Sequence, residues 1–390
     1  METNIKSFIC ENCGGTMKWN IAKQCFECSA CRAAGKIETT VAAVNEHNFD
    51  DYHMREGSVV SFPDEVSVVC SACGSHIAFD KPLTATVCPM CGSTQIAEEK
   101  QAAGVPPDGI IPFQVDKDQA QENFRKWVKS RWFAPNRLKK AYQQGKLEGM
   151  YLPFWTFDME AGAQYYGRGG DEYTTRDDEG NETTHVNWHS TQGYVSDFYD
   201  DLAVCASEDR VVEVIDKILP YHTSTGSVPY SSAYLSGFQA QRYSIPADVA
   251  VASAKQTVES DLREKARQDI LNRYDLADVN RVDVDYKRIK YKHVLLPAWL
   301  SAFAYNSKKY LYMINGETGE VGGQRPYSVP KIVAAIAVAA VIVIGAVMYF
   351  TGSDEEASVL PNYATIQMVD VAQNEGINEK TCLQGSDIRL

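Results

Sequence analysis

The sequence predicts a multidomain chain: two small β-rich zinc ribbons of four cysteines each, an α+β middle domain with an internal duplication, and one transmembrane helix. Three observations carry this. Cys-x-x-Cys pairs recur in matched sets near the amino end, amphipathic helices alternate with apolar strands in the middle, and an unbroken apolar stretch lies near the carboxyl end. The implied boundaries are ribbon 1 over 1–36, a connector with a short helix over 37–64 and ribbon 2 over 65–98. A linker over 99–109, the α+β domain over 110–328, the membrane helix over 332–350 and an extracytoplasmic tail over 351–390 complete the chain.

The ribbons rest on an internal repeat. Cys10, Cys13, Cys28 and Cys31 map onto Cys70, Cys73, Cys88 and Cys91 at a constant offset of 60 residues. Between them Gly14 matches Gly74, Met17 matches Ile77, Trp19 matches Phe79 and Asn20 matches Asp80. A Cys-x-x-Cys knuckle turns the chain so that two thiolates converge on one metal, and a second knuckle closes a tetrahedron. Glycine just after the knuckle supplies a permissive backbone. The apolar pairs Met17/Trp19 and Ile77/Phe79 alternate as a short strand does. Four cysteine ligands leave no open coordination position, so two structural Zn²⁺ ions are expected rather than a catalytic one. The rival pairing of Cys25 with Cys28 is disfavoured by the repeat, because Cys25 falls opposite Ala85. Cys25 then reads as a partly buried free thiol. With eight ligand positions filled, His47, His53 and His76 read as surface residues.

Composition bounds the function. Of 11 cysteines in 390 residues, nine precede residue 92, and residues 1–9 show neither a basic nor an apolar leader region. Paired thiolates without a secretory signal point to zinc in a reducing compartment. The net charge is −13 for the chain; residues 1–100 carry 8 basic and 13 acidic side chains. A phosphate-gripping ribbon would be basic, so a protein partner is favoured over nucleic acid.

In the middle domain, Asp116 to Phe133 places Ala120, Phe124, Trp127, Val128 and Trp132 on one helical face, with Asp116 and Gln119 as a capping box. Strands are expected around Tyr151–Tyr166, Glu172–Thr175, Thr183–Ser190 and Tyr194–Asp197. A second helix, Ala247 to Tyr274, buries Val251, Ala254, Val258, Leu262, Ala266 and Ile270. The strand entry Leu152-Pro153-Phe154-Trp155 echoes Leu296-Pro297-Ala298-Trp299, which suggests the duplication. Turns are signalled at Asn306-Ser307 and Asn315-Gly316. Ile37 to Tyr52 reads as one short helix. His185 and His189 read as exposed strand residues, and Asp177, Asp178, Glu179 and Glu182 as a solvated hairpin tip. Residues 158–210 hold 13 acidic and 3 basic side chains, which would repel phosphate. No phosphate-loop, nucleophile-elbow, zincin or dinucleotide motif is present, so no enzyme is expected.

Ile332 to Phe350 is 19 residues without a charge, about 28 Å as a helix and matched to a bilayer's hydrocarbon core of roughly 30 Å. Arg325 and Lys331 precede it; Asp354, Glu355 and Glu356 follow. Positive-inside reasoning therefore places the amino-terminal bulk in the cytoplasm. The tail carries a single cysteine, Cys382. Arg288, Lys290 and Lys292 share a strand face, read either as a contact for anionic headgroups or as a solvated face.

The strings FICENCGGTMKWN, VVCSACGSHIAFD, CPMCG, IIPFQV, GMYLPFWTFD, SAYLSGFQAQRYSI, HVLLPAWL and INGETGEV together resemble a family of bacterial membrane-anchored zinc-ribbon proteins. That family is labelled as ribbons of the general-transcription-factor-B type and often named after the helicase PriA. The resemblance covers roughly residues 5–330. It implies two ribbons, a β-rich middle domain, a membrane anchor and a link to phage-shock-type envelope-stress machinery; the helicase name finds no ATPase motif here. Departures are Cys25, Arg32 in place of glycine after Cys31, and the long tail. The expected function is a non-enzymatic membrane adaptor recruiting a cytosolic protein. The alternative is a nucleic-acid-binding protein that tethers DNA or RNA to the membrane.

Overall fold

Three very long antiparallel strands form the spine. The computed structural model describes residues 10–15, 17–35, 44–57, 65–70, 76–80, 96–99, 105–135, 147–208, 212–235, 238–305, 308–324 and 327–351. They fall in two compact units, Met1–Ser328 and Val329–Leu390. In the first unit the central strand Glu148–Arg176 is flanked by Glu182–Cys205 on one side and Leu276–Tyr305 on the other. Its 29 residues would extend about 95 Å at the usual rise per residue. The several strands expected between Tyr151 and Asp197 are thus two continuous ones joined by a tight turn. At that turn the Asp177 carboxylate accepts the N–H groups of Glu179 and Asn181, and the acidic loop is an exposed hairpin tip.

Burial changes along the spine. From Met150 to Met159 every residue is buried, because both sheet faces are covered. Met150, Leu152 and Phe154 face one apolar cluster with Val214, Ile215 and Ile218. Trp155, Phe157 and Met159 face the other way, toward the helix Ala247–Leu271. Beyond residue 160, among the described residues, that helix alone remains as cover: Ala161, Ala163 and Tyr165 stay buried, while Tyr166, Tyr194, Phe198 and Trp188 lie exposed. The helix buries the predicted stripe Val251, Ala254, Val258, Leu262, Ala266 and Ile270, one residue per turn.

The echoing Leu-Pro motifs lie opposite one another. Leu152 pairs with Leu296, and Pro153 with Leu295. Each motif's tryptophan reaches the start of a helix: Trp155 Nε1 donates to Ile245 O at 2.8 Å, ahead of Ala247–Leu271. Trp299 Nε1 donates to Val115 O at 2.8 Å, ahead of the helix Lys117–Ser130. That shorter helix begins with the expected Asp116–Gln119 capping box and buries Ala120, Phe124 and Val128, but it ends before Trp132. The strands Tyr305 and Lys308 meet around the first predicted turn, whose residues 306–307 lie outside the described ones. At the second, pairing resumes only at Ile314–Val321. The buried Asn315 side chain spans the gap, accepting from Glu317 and Thr318 N–H.

Two further expectations require correction. Ile37–Tyr52 is not one helix over its described part: His47–Asn48 pairs with Tyr291 and Lys290, Phe49–Asp51 is a 3-10 turn, and the helix is Tyr52–Gly57. Tertiary pairing and the Asn48 side chain, which accepts Asp50 N–H, override the local helical pattern. The stretch 99–109, expected as a linker, is a packed strap over its described residues 105–109. Asp108 accepts from Arg55 at 2.9 Å and from His293 N–H at 2.9 Å, and it meets His47 Nε2 at 2.9 Å.

The basic strand face carries ion pairs, and of its three cations only Lys292 is buried. Arg288 pairs with Glu160, Lys290 with Glu46 at 3.0 Å, and the buried Lys292 with Asp201 at 2.7 Å. Two β-bulges, between Tyr199 and Leu202 and between Lys287 and Lys290, flank Asp158 in the central strand. Asp201 and Arg288 take left-handed φ values of 50° and 52° there. Asp158 accepts Asp201 N–H at 2.8 Å. Burial, opposed by that hydrogen bond, pushes its carboxyl up to about 6, and a hydrogen bond with Glu46 adds to the rise. Burial raises Glu46, but Lys290 and the Asp158 hydrogen bond outweigh it and hold it below the ordinary range.

A carboxyl whose folded value exceeds its unfolded one binds its proton more tightly when folded. The Asp158 contribution to stability therefore falls as pH rises from 3.8 through about 6. In urea unfolding of Asp158→Asn, whose amide keeps both hydrogen bonds, wild type should lose stability relative to the variant across that interval. A difference independent of pH would contradict the assignment.

Candidate metal centre

Two tight turns and a hairpin build the site. Met17–Asn20 pairs with Cys25–Cys28, placing Met17 opposite Cys28 and Trp19 opposite Phe26; Cys25–Cys28 in turn pairs with Ala34–Gly35. The two knuckles share one hydrogen-bond pattern. Gly14 N–H donates to Cys10 O at 2.8 Å and Cys10 N–H to Gly15 O at 2.7 Å. Arg32 N–H donates to Cys28 O at 3.1 Å and Cys28 N–H to Ala33 O at 2.9 Å. The equivalent positions Gly14 and Arg32 both adopt left-handed backbone, with φ of 70° and 62°. Arginine there costs about 1 kcal/mol relative to glycine.

These turns bring Cys10, Cys13, Cys28 and Cys31 together, with all four sulfurs within 4.8 Å of one another. Cys10 and Cys31 are 3.6 Å apart and Cys13 and Cys28 3.4 Å. A tetrahedral Zn²⁺ with bonds of about 2.3 Å would set its sulfurs roughly 3.8 Å apart, so the cage fits that ion. Gly15 is tied to the site: a methyl group there would meet Cys28 Sγ at 3.0 Å and Cys13 Sγ at 3.4 Å. Cys10 and Cys28 face the core, and Cys25, paired opposite Asn20, stands outside the group of four.

As free thiols the four share protons unequally. The Ala33 backbone N–H, the Cys13 thiol and Asn12 bring Cys31 down to about 6. Asn12 Nδ2 lies 3.7 Å from that sulfur, a contact the sequence did not flag. The Gly15 N–H lowers Cys13, but hydrogen bonds with Cys31 and Cys28 outweigh it and push the thiol up to about 12. A divalent cation removes this competition by taking every sulfur as thiolate.

The ribbon is seated on the spine domain. Trp19 Nε1 donates to Phe113 O at 3.0 Å, and the Gln24 amide donates to the same carbonyl at 3.1 Å. Trp19, Phe26 and Tyr234 form a triangle of rings with centroids 5.0–5.1 Å apart. The repeat-equivalent strand of the second module, His76–Asp80, pairs with Glu65–Cys70 and with Gln239–Gln241, which joins the central strand. Of its expected ligands, Cys73, Cys88 and Cys91 and the Cys70 side chain lie outside the described residues.

The histidines act elsewhere. His47 meets Asp108, and His53 lies 3.7 Å from Glu56. The His76 side chain lies outside the described residues. His185 and His189 do share a sheet face, but His185 meets Thr175 at 2.9 Å and His189 meets Asp171 at 3.3 Å. Among the described residues no second cluster of three or more metal-ligating groups occurs.

The comparisons place the chain beside a protein of unknown role. It is 27% identical to the uncharacterized protein YdjG of Bacillus subtilis strain 168 over 334 residues, covering 85% of this chain and 93% of that one. No family model matches the chain, and no solved structure does.

The geometry separates the two thiols adjoining the second knuckle. Cys28→Ser should abolish metal binding by the four-sulfur group and lower the unfolding midpoint; Cys25→Ser should leave both unchanged. Metal analysis with thermal unfolding checks this, and equal losses from both substitutions would point to a different ligand set.

Proposed function

We propose that the chain is a non-enzymatic, membrane-anchored zinc-ribbon adaptor that holds a cytosolic protein at the bilayer. The observation that carries this reading is the four-sulfur cage seated on the spine domain. With four protein ligands a zinc ion has no position for water or substrate, so its contribution is to fold and surface shape. Two structural ions are proposed: one at Cys10, Cys13, Cys28 and Cys31, the other at Cys70, Cys73, Cys88 and Cys91. The crossed tryptophan contacts to Val115 and Ile245 support reading the spine domain as a duplicated unit.

Val329–Val347 lies in a helix long and apolar enough to cross a membrane, and none of its residues is buried. The proposed orientation keeps the ribbons cytoplasmic, following Arg325 and Lys331 before the span and Asp354, Glu355 and Glu356 after it. The acidic charge of −13 supports a protein partner over nucleic acid. Envelope-stress machinery is the proposed partner class, on the ribbon-family resemblance.

Photo-crosslinking from Lys18, exposed on the ribbon hairpin, tests the reading in native membranes. Full-length protein should yield one dominant cytosolic-protein adduct, and Cys28→Ser should abolish it. Recovery of lipids and scattered abundant proteins alone would contradict an adaptor.

A further inference from the structure

The helix Lys117–Ser130 ends in a turn that carries an unusual pair. Arg131 N–H donates to Val128 O at 3.2 Å and Ala134 N–H to Arg131 O at 3.1 Å. Val128 and Ala134 are each 1% exposed, so the turn is pinned from inside. Between them Trp132 is 76% exposed and Phe133 40%. Sequence periodicity assigns Trp132 to the buried face of the helix; the helix stops short of it.

The chain itself says what lies beside this pair. Ser328 N–H donates to Phe133 O at 2.8 Å, and Tyr327 is 60% exposed. The next residue, Val329, opens the apolar helix. Lys331 is the last charge before the apolar run, so hydrocarbon begins near Ile332, about 4.5 Å along the helix from Val329. The headgroup layer of one leaflet is roughly 5–8 Å deep. Covalent continuity therefore holds the Phe133 backbone at that layer whenever the helix spans, whatever angle the helix takes. Tryptophan and tyrosine are enriched at this depth, where an apolar ring and a polar N–H or O–H both find partners.

We infer that Trp132, Phe133 and Tyr327 form a lipid-interface anchor, seating the spine domain on the headgroups where the chain enters the bilayer. The inference rests on the membrane-spanning reading and deepens it. It locates the lipid contact at this aromatic turn. On the basic strand face Arg288, Lys290 and Lys292 form ion pairs with Glu160, Glu46 and Asp201.

Full-length protein and its Trp132→Phe variant, reconstituted in vesicles, test it through tryptophan quenching. The probe is phosphatidylcholine brominated near the top of its acyl chains, and the wild-type-minus-variant spectrum isolates Trp132. That difference should lose about half its intensity, with less loss when the bromines sit near the chain ends. Co-flotation after carbonate washing reports separately on the span. Failure to float overturns the span and the anchor together. Flotation with a difference spectrum indifferent to bromine overturns the anchor alone, including the case in which another protein covers Trp132.

Discussion

Four sulfurs within 4.8 Å of one another constrain everything around them. Protonated, they compete for hydrogen bonds; ionised without a cation, they repel. A bound metal would let all four approach as thiolates, and its binding free energy would then add to the folding free energy of the ribbon. That constraint accounts for the paired knuckles, the left-handed backbone at Gly14 and Arg32, and the close contacts a side chain at Gly15 would make with the sulfurs. The hairpin's outer rings, Trp19 and Phe26, then pack on Tyr234 and fix the cage to the spine.

The spine converts local order into long-range order. Glu148–Arg176 pairs along most of its length with two neighbours, and it meets Gln239–Gln241 near its start. Segments far apart in sequence are tied to one end of it. Asp108 gathers Arg55 and His293, and Lys292 meets Asp201 and Glu46 around Asp158. Buried charges of this kind persist only when paired: Lys292 meets Asp201 and Glu46, Lys290 also meets Glu46, and burial raises the Asp158 carboxyl to about 6.

Much of this was legible from residues alone. The stripe from Val251 to Ile270 repeats at helical spacing and lies on one buried face. The constant offset between ribbons selected Cys28 and Cys31, and these join Cys10 and Cys13. The long strands were read in fragments because alternation fails where both faces are covered, as from Met150 to Met159, and again where one face is open. The ion pairs of Arg288, Lys290 and Lys292, and the burial of Lys292, were not legible because the partners Glu160, Glu46 and Asp201 are distant in sequence. Trp132 fitted the helical period, and only the turn at Arg131 turns it outward. The eight-cysteine repeat is more specific than any of these signals, since few residue types can replace a thiolate in such a cage.

X-ray absorption at the zinc edge of the purified full-length protein tests the central claim most directly. The account predicts a first shell of sulfur alone, four per ion at about 2.3 Å. A shell containing nitrogen or oxygen, or protein that holds no zinc, would contradict it.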